Sequence, residues 1–429
     1  MASAFSIPLV FLCSFLFIVS SCIAKTTPRP ILQVTKDAKT LQYVTQVYQR
    51  TPLVPIKLSL DLGGEFMWVN CERGYASSSY KNPTCGSPPC QLLNTTSCIT
   101  GCLGSPSVDC ANNTCGSTAS NPFGSISTGG PIVGDVFAIQ STNGKSILPL
   151  IKLPSFYFVC GSNVLDVGLA NGVTGLAGLG RTGMSLPAQL SSYLKYDRKF
   201  ALCLSSSNGA VFFGDGPYML GPNVDASTSL QYTPLIVNTI TGGGFFGDAS
   251  PEYFIGVKSI KINEKRVTGF NESLFSFNAE GEGGTIISTT RPYTVLETTI
   301  YRAVISAFVK AMPKNVERVA NVAPFGACFS SKNIISTRLG PAVPSIELVL
   351  ESKNVWRIYG ANSMVQVNKD VLCLGFVEAR TDFSPTIKVV IGGYQIENNL
   401  LQFDLVKSRL GFSSSLLGRS TTCANFNFK

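Results

Sequence analysis

The chain of 429 residues contains no histidine. This absence excludes Ser-His-Asp and Cys-His nucleophilic catalysis, histidine general bases and histidine-containing metal sites. Charged residues are also scarce, at 14% of the chain, whereas 45% of the residues are hydrophobic. The remaining possibilities are catalysis by carboxylates or no catalysis at all. We expect neither a metal site nor a cofactor.

Long apolar runs are missing after the first 24 residues, because no later stretch approaches the roughly 20 apolar residues that span a membrane. Residues 1–24 are apolar throughout, end in small residues and are followed at once by Lys25. This pattern predicts a signal peptide cut near Ala24, and hence a secreted protein without a membrane span. The alternative is an uncleaved membrane anchor, for which the apolar core is short.

Cysteine is plentiful by contrast. The chain has 14 cysteines, and removal of the predicted signal peptide leaves twelve, an even number that predicts six disulfides in an oxidising compartment. Seven of them crowd into residues 71–115, which predicts a stapled, loop-rich insertion, and no spacing among them repeats a two-plus-two zinc pattern. The candidate disulfide residues are Cys71, Cys85, Cys90, Cys98, Cys102, Cys110, Cys115, Cys160, Cys203, Cys328, Cys373 and Cys423.

Three Asn-X-Ser/Thr sequences begin at Asn94, Asn112 and Asn271. In a secreted protein such sequences are glycan acceptors, and they lie at the surface. The sequence therefore predicts a glycoprotein.

The formal net charge is +9, and the 34 basic residues are not gathered into runs. No stretch interleaves them with aromatic residues, so we expect no nucleic-acid partner. The excess charge indicates attraction to an acidic partner, either a wall polysaccharide or an acidic protein, or else serves solubility alone.

Forty glycines and 24 prolines separate short apolar runs, which predicts a mainly β protein large enough for two cores. Alternation in YFIGVKSIKIN and LLQFDLVKSRLGFS is typical of half-buried antiparallel strands. GMSLPAQL predicts a short helix with Pro187 in its first turn, and the stretch after Pro292 has helical spacing. We place the boundary near the sequence LQYTP, giving a signal peptide at 1–24 and lobes at 25–228 and 229–429.

Several long stretches resemble the pepsin-like aspartic proteases, and the resemblance covers essentially the whole mature chain. They include LQYVTQVYQRTPLVPIKLSLDLGGEFMWVNC, GLAGLGRTGMSLPAQL, EYFIGVKSIKIN, PYTVLETTIYRAV and RVANVAPFGACFSSKNIISTRLGPAVPSI. Within that superfamily the chain resembles the plant extracellular dermal glycoprotein group, which includes inhibitors of xyloglucan-specific endoglucanases, the cereal endoxylanase inhibitors and the basic seven-S globulins of legume seeds. The resemblance implies a bilobed pepsin-like fold of two β-barrel-like lobes with short helices, each lobe giving one catalytic loop to a cleft.

Aspartic proteolysis needs two carboxylates that share a proton. Asp61 in LSLDLGG matches the first, but the second loop reads GGTIISTTRP, with Ser288 where the resemblance implies the other acid. A serine hydroxyl cannot hold the shared proton, because it titrates far above any useful pH. We therefore predict that the chain is not an enzyme.

Other residues that the resemblance implies for catalysis are also missing. Leu62 removes the threonine hydroxyl that ties the two loops together in active relatives, and Thr290 replaces a glycine. The segment between Cys115 and Val136, where the resemblance implies a substrate-covering flap, has no tyrosine. Asp61 is then interpreted as a structural carboxylate that accepts N–H groups of the following glycine turn. Without a like-charged neighbour, it is expected to stay ionised at neutral pH.

The resemblance implies that the protein inhibits microbial glycoside hydrolases outside the cell, in the plant cell wall. A retaining endoglucanase presents two carboxylates about 5–5.5 Å apart, which a guanidinium can engage. Arg318, between a predicted helix and the strand of Cys328, and Arg409, at the predicted tip of the last β-hairpin, match arginines of the endoglucanase-inhibiting relatives. Lys407 and Glu317 are weaker neighbours. Each arginine has an alternative interpretation as an ordinary surface residue.

The cereal xylanase inhibitors are thought to use a histidine, which this chain lacks, so the predicted target is a family-twelve xyloglucan-specific endo-β-1,4-glucanase. We expect a one-to-one complex formed by a monomer. The alternatives are a storage or peptide-binding globulin of the basic seven-S type, a xylanase inhibitor, and an aspartic protease with an unrecognised catalytic pair.

Overall fold

The computed structural model describes residues 28–72, 74–93, 97–101, 112–240, 249–379 and 386–428. The predicted signal peptide, Asn94, Cys102 and Cys110 lie outside these ranges. None of the helices within the ranges is long and apolar enough to cross a membrane.

The described residues are mainly β, as expected. The first half contains β1 (Arg29–Lys36), β2 (Tyr43–Gln49), β3 (Val54–Asp61), β4 (Trp68–Asn70), β5 (Cys98–Ile99), β6 (Thr114–Asn121), β7 (Ile126–Thr142), β8 (Ile147–Gly161), β9 (Val173–Gly178), β10 (Lys199–Cys203) and β11 (Asn208–Phe213).

The second half contains shorter strands. They are β12 (Gln231–Ile236), β13 (Phe254–Ile255), β14 (Val257–Ile262), β15 (Lys265–Arg266), β16 (Thr285–Ile287), β17 (Thr294–Leu296), β18 (Arg318–Val319), β19 (Cys328–Ser330), β20 (Ser336–Thr337), β21 (Gly340–Pro341), β22 (Ile346–Leu350), β23 (Val355–Ile358), β24 (Met364–Asn368), β25 (Val371–Leu374), β26 (Phe376–Glu378), β27 (Val389–Ile391), β28 (Asn399–Asp404) and β29 (Arg409–Ser415).

Helices are few and short. They are α1 (Pro88–Gln91), α2 (Leu186–Leu194), α3 (Thr298–Ala311), α4 (Gly360–Ser363) and α5 (Gly393–Ile396), with single 3-10 turns at Asn163–Asp166, Ala226–Ser229, Glu272–Phe275, Ser331–Asn333, Leu416–Arg419 and Cys423–Asn425. Helix α2 has Pro187 in its first turn, as predicted. The stretch after Pro292 differs from prediction, because strand β17 comes first and α3 begins only where the Glu297 carboxylate accepts the amide hydrogens of Thr299 and Ile300.

The two halves repeat one arrangement. Strand β3 runs parallel to β9, with Asp61 opposite Gly178, and β16 runs parallel to β27, with Ile287 opposite Ile391. The residues that follow β3 and β16 are those that the sequence identified as the two site loops. This internal repeat is the basis of the pepsin-like two-lobed fold.

A shared antiparallel sheet joins the halves through the order β1, β11, β10, β28, β29, β12. The junction is the pairing of β10 with β28, in which Lys199 lies opposite Asp404 and Cys203 opposite Leu400.

Every residue of β28 is buried, so the expectation of a half-buried strand there is wrong. Strands β10 and β29 pair with its two edges, and its side chains enter two hydrophobic clusters, one with Leu401 and Phe403 and the other with Leu400. The boundary at 229 stays a prediction, because this sheet runs across it.

Five disulfides lie within the described residues, and together they use ten of the predicted cysteines. The pairs are Cys71–Cys160, Cys85–Cys98, Cys90–Cys115, Cys203–Cys423 and Cys328–Cys373. Two of them close loops inside the region 71–115, as expected of a stapled insertion. The sixth predicted pair would need Cys102 and Cys110, which are outside the described residues.

Candidate functional site

Two loops meet at the seam between the halves. Asp61 ends β3, and Ser288 and Thr289 follow β16. The Thr289 hydroxyl accepts the amide hydrogen of Leu62 at 3.0 Å and donates to the carbonyl of Leu60 at 3.0 Å. The Thr289 hydroxyl therefore has no counterpart in the first loop, since Leu62 has no hydroxyl and its side chain is buried in the core.

Ser288 is engaged within its own loop. Its hydroxyl lies 3.0 Å from the Thr290 hydroxyl and accepts the Thr290 amide hydrogen at 3.2 Å. These bonds close a small turn of the kind that serine side chains commonly stabilise. Nothing in this turn supplies a second carboxylate to the loop.

Asp61 is a partly buried carboxylate at the centre of the site. Its Oδ1 accepts the Gly63 amide hydrogen at 3.2 Å. Burial raises its pKa to about 6, against the lowering effect of the Gly63 and Gly64 amides and of the Arg291 charge. The carboxyl is thus mostly ionised at pH 7, and its predicted bond to the glycine turn is present.

Glu252 is the residue that the sequence analysis missed. It lies two residues before β13, and its Oε2 is buried without a hydrogen-bond partner among the described residues. Burial and, to a lesser extent, the Asp61 charge together raise its pKa to about 8, against the lowering effect of Arg291. The expectation that Asp61 has no like-charged neighbour is therefore wrong. No motif marks Glu252, because its partners come from two distant segments of the chain.

The glycine at position 63 makes room for this acid. A Cβ built on Gly63 would lie 2.2 Å from the Glu252 Cδ and 2.2 Å from its Oε2. Real Cβ atoms do not approach other heavy atoms this closely, so the Glu252 carboxyl can hold this position only while residue 63 has no side chain. The site holds two carboxylates and Arg291, although the second acid comes from a different place than in a protease.

Replacing Gly63 by alanine is expected to destabilise the fold by about 1–3 kcal/mol, the usual cost of overpacking. The added Cβ would push the Glu252 carboxyl out of its position. Thermal unfolding of Gly63→Ala, Glu252→Ala and the double variant measures this coupling. The double variant should recover most of the loss caused by Gly63→Ala, and strictly additive losses would contradict the contact.

The space beside Asp61 is small. A cavity of about 170 Å³ is lined by Asp61, Glu65, Trp68, Thr118 and Ser120 among others, below the 300–1,000 Å³ typical of ligand sites. Hairpin β6–β7 covers it in the position expected of the flap, and the Trp68 indole donates to the Ser120 carbonyl at 3.0 Å. Threonine and serine line the flap's inner side. The described residues contain no group of three or more His, Cys, Asp or Glu that could hold a metal ion.

The two candidate arginines lie on hairpins of the second half. Arg318 begins β18, is exposed, and donates from Nη2 to the Gly326 carbonyl at 3.2 Å. Its hairpin partner β19 carries Cys328, which is bonded to Cys373. The exposed guanidinium therefore stands on a covalently anchored hairpin.

Arg409 is the first residue of β29, not the hairpin tip as predicted. The exposed tip is Val406, Lys407 and Ser408. Arg409 lies opposite Asp404, donates from Nε to its Oδ2 at 3.2 Å, and places its guanidinium carbon 3.9 Å from the centre of the Tyr232 ring. Its Nη groups make no hydrogen bond to the described residues, and 32% of the side chain is exposed.

Two family models match the chain in succession. Residues 43–215 match the model described as xylanase inhibitor N-terminal, and residues 252–414 match the model described as xylanase inhibitor C-terminal. The matched segments carry the Asp61 loop and the Ser288 loop respectively. Together they cover well over half of the chain.

Similar proteins extend the same relationship over the full length. The chain is 54% identical to "Probable aspartic proteinase GIP2" of Nicotiana benthamiana, with 100% of this chain and 99% of the relative covered. It is 38% identical to "Basic 7S globulin" of Glycine max, with 97% and 96% covered. The crystal structure of edgp is 50% identical with a TM-score of 0.90, covering 94% of this chain and 99% of that one. The chain therefore belongs to the xylanase-inhibitor and basic 7S globulin group of pepsin-like proteins, and it is an aspartic-protease-like protein of the non-catalytic kind.

Proposed function

We propose that the protein is secreted into the plant cell wall and inhibits a microbial glycoside hydrolase there, as part of plant defence. The target is a family-twelve xyloglucan-specific endo-β-1,4-glucanase. The observation on which this proposal rests is that both halves match xylanase-inhibitor models, while an exposed Arg318 and a partly exposed Arg409 stand on hairpins of the second half. Secretion rests on the predicted signal peptide, and glycosylation on the exposed Asn112 and Asn271.

We infer that Ser288 takes the place of the second catalytic acid. It follows β16 as Asp61 ends β3, and its neighbour Thr289 bonds to the Asp61 loop. Glu252 does not take the place of this acid, because its carboxyl lies where a side chain at residue 63 would be and not on the loop that follows β16. The cleft then holds the two halves together and does not catalyse a reaction.

Arg318 and Arg409 are the proposed inhibitory residues. A guanidinium presents a planar fork of donors that matches the two catalytic carboxylates of a retaining hydrolase. Arg409 is preorganised by Asp404 and Tyr232, so less side-chain entropy is lost when its Nη groups engage a partner. Lys407 at the exposed tip adds a second positive charge beside it.

The net charge favours this type of partner. A formal charge of +9 accelerates encounter with a hydrolase whose open groove carries carboxylates. The complex is expected to be one-to-one, because each molecule offers one set of the two arginine hairpins.

Purified protein mixed with a family-twelve xyloglucanase is expected to abolish most hydrolysis at equimolar concentration. Family-eleven xylanases are measured in parallel, and no histidine is available here to engage them in the way expected of the cereal inhibitors. Residual release of reducing sugar gives the inhibition constant and the stoichiometry. Undiminished hydrolysis by the xyloglucanase, with protein that shows a normal unfolding transition, would overturn the proposal.

A storage or peptide-binding globulin is the second candidate. It is favoured by the similarity to gamma conglutin 1 of Prunus dulcis, 45% identical over 98% of this chain, and to basic 7S globulin. This function needs no hydrolase contact. Absence of inhibition together with accumulation in seed would favour it over the first proposal.

A further inference from the structure

An open groove lies away from the cleft, between the exposed face of helix α3 and strand β15 with the residues that follow it. Its volume is about 720 Å³, within the range of small-ligand sites. The helix contributes seven residues that recur with helical spacing, namely Thr299, Arg302, Ala303, Ser306, Ala307, Lys310 and Ala311. The hairpin side contributes residues 262 and 265–269. We call this feature the basic groove.

The charges of the basic groove all have one sign. Four basic residues, Lys265, Arg266, Arg302 and Lys310, line it, and no aspartate or glutamate does. Lys265 and Lys310 are exposed and have no ion-pair partner among the described residues. The two arginines face acids outside the groove, because Arg266 pairs with Glu272 and Arg302 lies 3.9 Å from Glu378. The second pair is long and exposed, so it leaves the Arg302 charge largely available.

The basic residues stand on both walls. Lys265 and Arg266 come from the hairpin, and Arg302 and Lys310 come from the helix two turns apart. A ligand lying along the groove can therefore meet positive charge on each side and at more than one point of its length. Single anions do not need this spacing, whereas a linear chain with repeated negative charges does.

The small side chains on the floor of the basic groove and its hydroxyl groups restrict the chemical class of the ligand. Ala303, Ser306 and Ala307 leave room for close approach, and Thr268, Thr299 and Ser306 offer hydroxyl groups. No aromatic side chain lines the groove, so it offers no stacking platform for nucleobases. Repeated carboxylates combined with many hydroxyls are the chemistry that Lys, Arg, Ser and Thr side chains match together.

We propose that the basic groove binds a linear acidic oligosaccharide, a chain of sugar units that each carry one carboxylate. The carboxylates lie against Lys265 and Lys310 on opposite walls, and the sugar hydroxyls bond to the threonine and serine side chains. Binding of this kind would hold the protein on an acidic polysaccharide while the arginine hairpins stay free. The inference does not depend on hydrolase inhibition.

Isothermal titration with a hexamer of galacturonic acid, using the full mature chain at low salt, tests the proposal. One-to-one binding is expected, and it should weaken at least tenfold when the salt is raised from about 20 mM to about 300 mM. A fully methyl-esterified hexamer should not bind, because it keeps the hydroxyls and loses the charges. Absence of binding by the free acid, or equal binding by the ester, would overturn the proposal.

Matched variants separate the groove from general charge attraction. The double variant Lys265→Gln/Lys310→Gln should weaken binding about tenfold or more, whereas Lys39→Gln/Lys369→Gln removes the same charge elsewhere and should change it less than about twofold. Ser306→Asp, at an exposed helix position, places a negative charge on the floor and should also abolish binding. Equal losses in the two double variants, each with an unchanged unfolding temperature, would show diffuse attraction only and reject the site.

Titration with other polyanions tests whether the ligand is an acidic sugar chain or belongs to another chemical class. A hexamer of glutamate and a six-nucleotide single strand are titrated under the same conditions. Binding of either as tight as that of the oligosaccharide, with the same loss in Lys265→Gln/Lys310→Gln, would replace the acidic sugar chain by an acidic peptide or a nucleic acid.

Discussion

Replacing Glu252 by glutamine is expected to stabilise the protein by about 4 kcal/mol at pH 8 and by less than about 1 kcal/mol near pH 5. Glutamine keeps the shape of the side chain and removes the ionisation. In the folded state the pKa of Glu252 is raised from 4.5 to about 8, mainly by burial and then by the Asp61 charge. The folded protein therefore holds this proton more tightly than the unfolded chain does.

The sign of the pH dependence follows from this shift. Below about pH 4.5 the carboxyl is protonated in both states and contributes no penalty, whereas above about pH 8 it is ionised in both and the full penalty is present. Asp61, with its pKa raised to about 6, adds a penalty of the same sign between pH 3.8 and 6. Asp37 and Asp215, whose pKa values are lowered, contribute stability that is lost only toward lower pH. The wild-type protein should thus be more stable at pH 5 than at pH 8.

Chemical unfolding at pH 5, 6.5 and 8 measures the effect for the wild type and Glu252→Gln. Glu264→Gln is a matched control, because Glu264 is an exposed acid of the same half, 80% exposed in its side chain. The control should follow the wild type at every pH. If Glu252→Gln retained the full wild-type pH dependence, the buried carboxyl would not be its source.

Replacing Arg318 or Arg409 by alanine is expected to weaken inhibition of the family-twelve xyloglucanase by roughly 30-fold to 5,000-fold each. This range corresponds to the 2–5 kcal/mol lost when one member of a buried, charge-assisted pair is truncated in an interface. Lysine at either position keeps the charge and loses the planar fork, so it should restore only part of the potency. Inhibition constants for the four single variants measure both effects.

Arg338→Ala provides the matched control for the two arginines. Arg338 is exposed in the same half, and its Nη1 donates to the Ser420 hydroxyl at 2.9 Å, so it resembles Arg318 in exposure and partner. Its replacement should leave inhibition unchanged. Normal potency in Arg318→Ala and Arg409→Ala would reject the arginine mechanism while leaving inhibition itself standing.

Local patterns predicted a good part of the fold. The mainly β class, the proline in the first turn of α2 and the last hairpin could be predicted, because they depend on residues close together in sequence, although Arg409 begins the second strand of that hairpin and is not its tip. The burial of β28 was not, since alternation along a strand shows one face and cannot show that β10 from the other half covers its edge. Burial there is decided by partners about 200 residues away.

The site also contains residues that a local motif predicts and residues that it does not. Asp61 and its glycine turn follow from a short motif, and the position after β16 could be found in the same way. Glu252 could not, because its role depends on Gly63 and Arg291, which come from two other loops. The restraint of Arg409 by Tyr232 was equally hidden, since β12 brings that ring beside β29 from far upstream.

The disulfide between Cys203 and Cys423 lies beside the junction of the two halves and spans 220 residues of sequence. Strands β10 and β28 pair next to it, so the two ends of this long segment are held together by both a covalent bond and a shared sheet. A single peptide-bond break anywhere between them would not release either half. Such a nicked molecule would keep its mass and its two-lobed shape under oxidising conditions and would come apart as two chains only after reduction and unfolding.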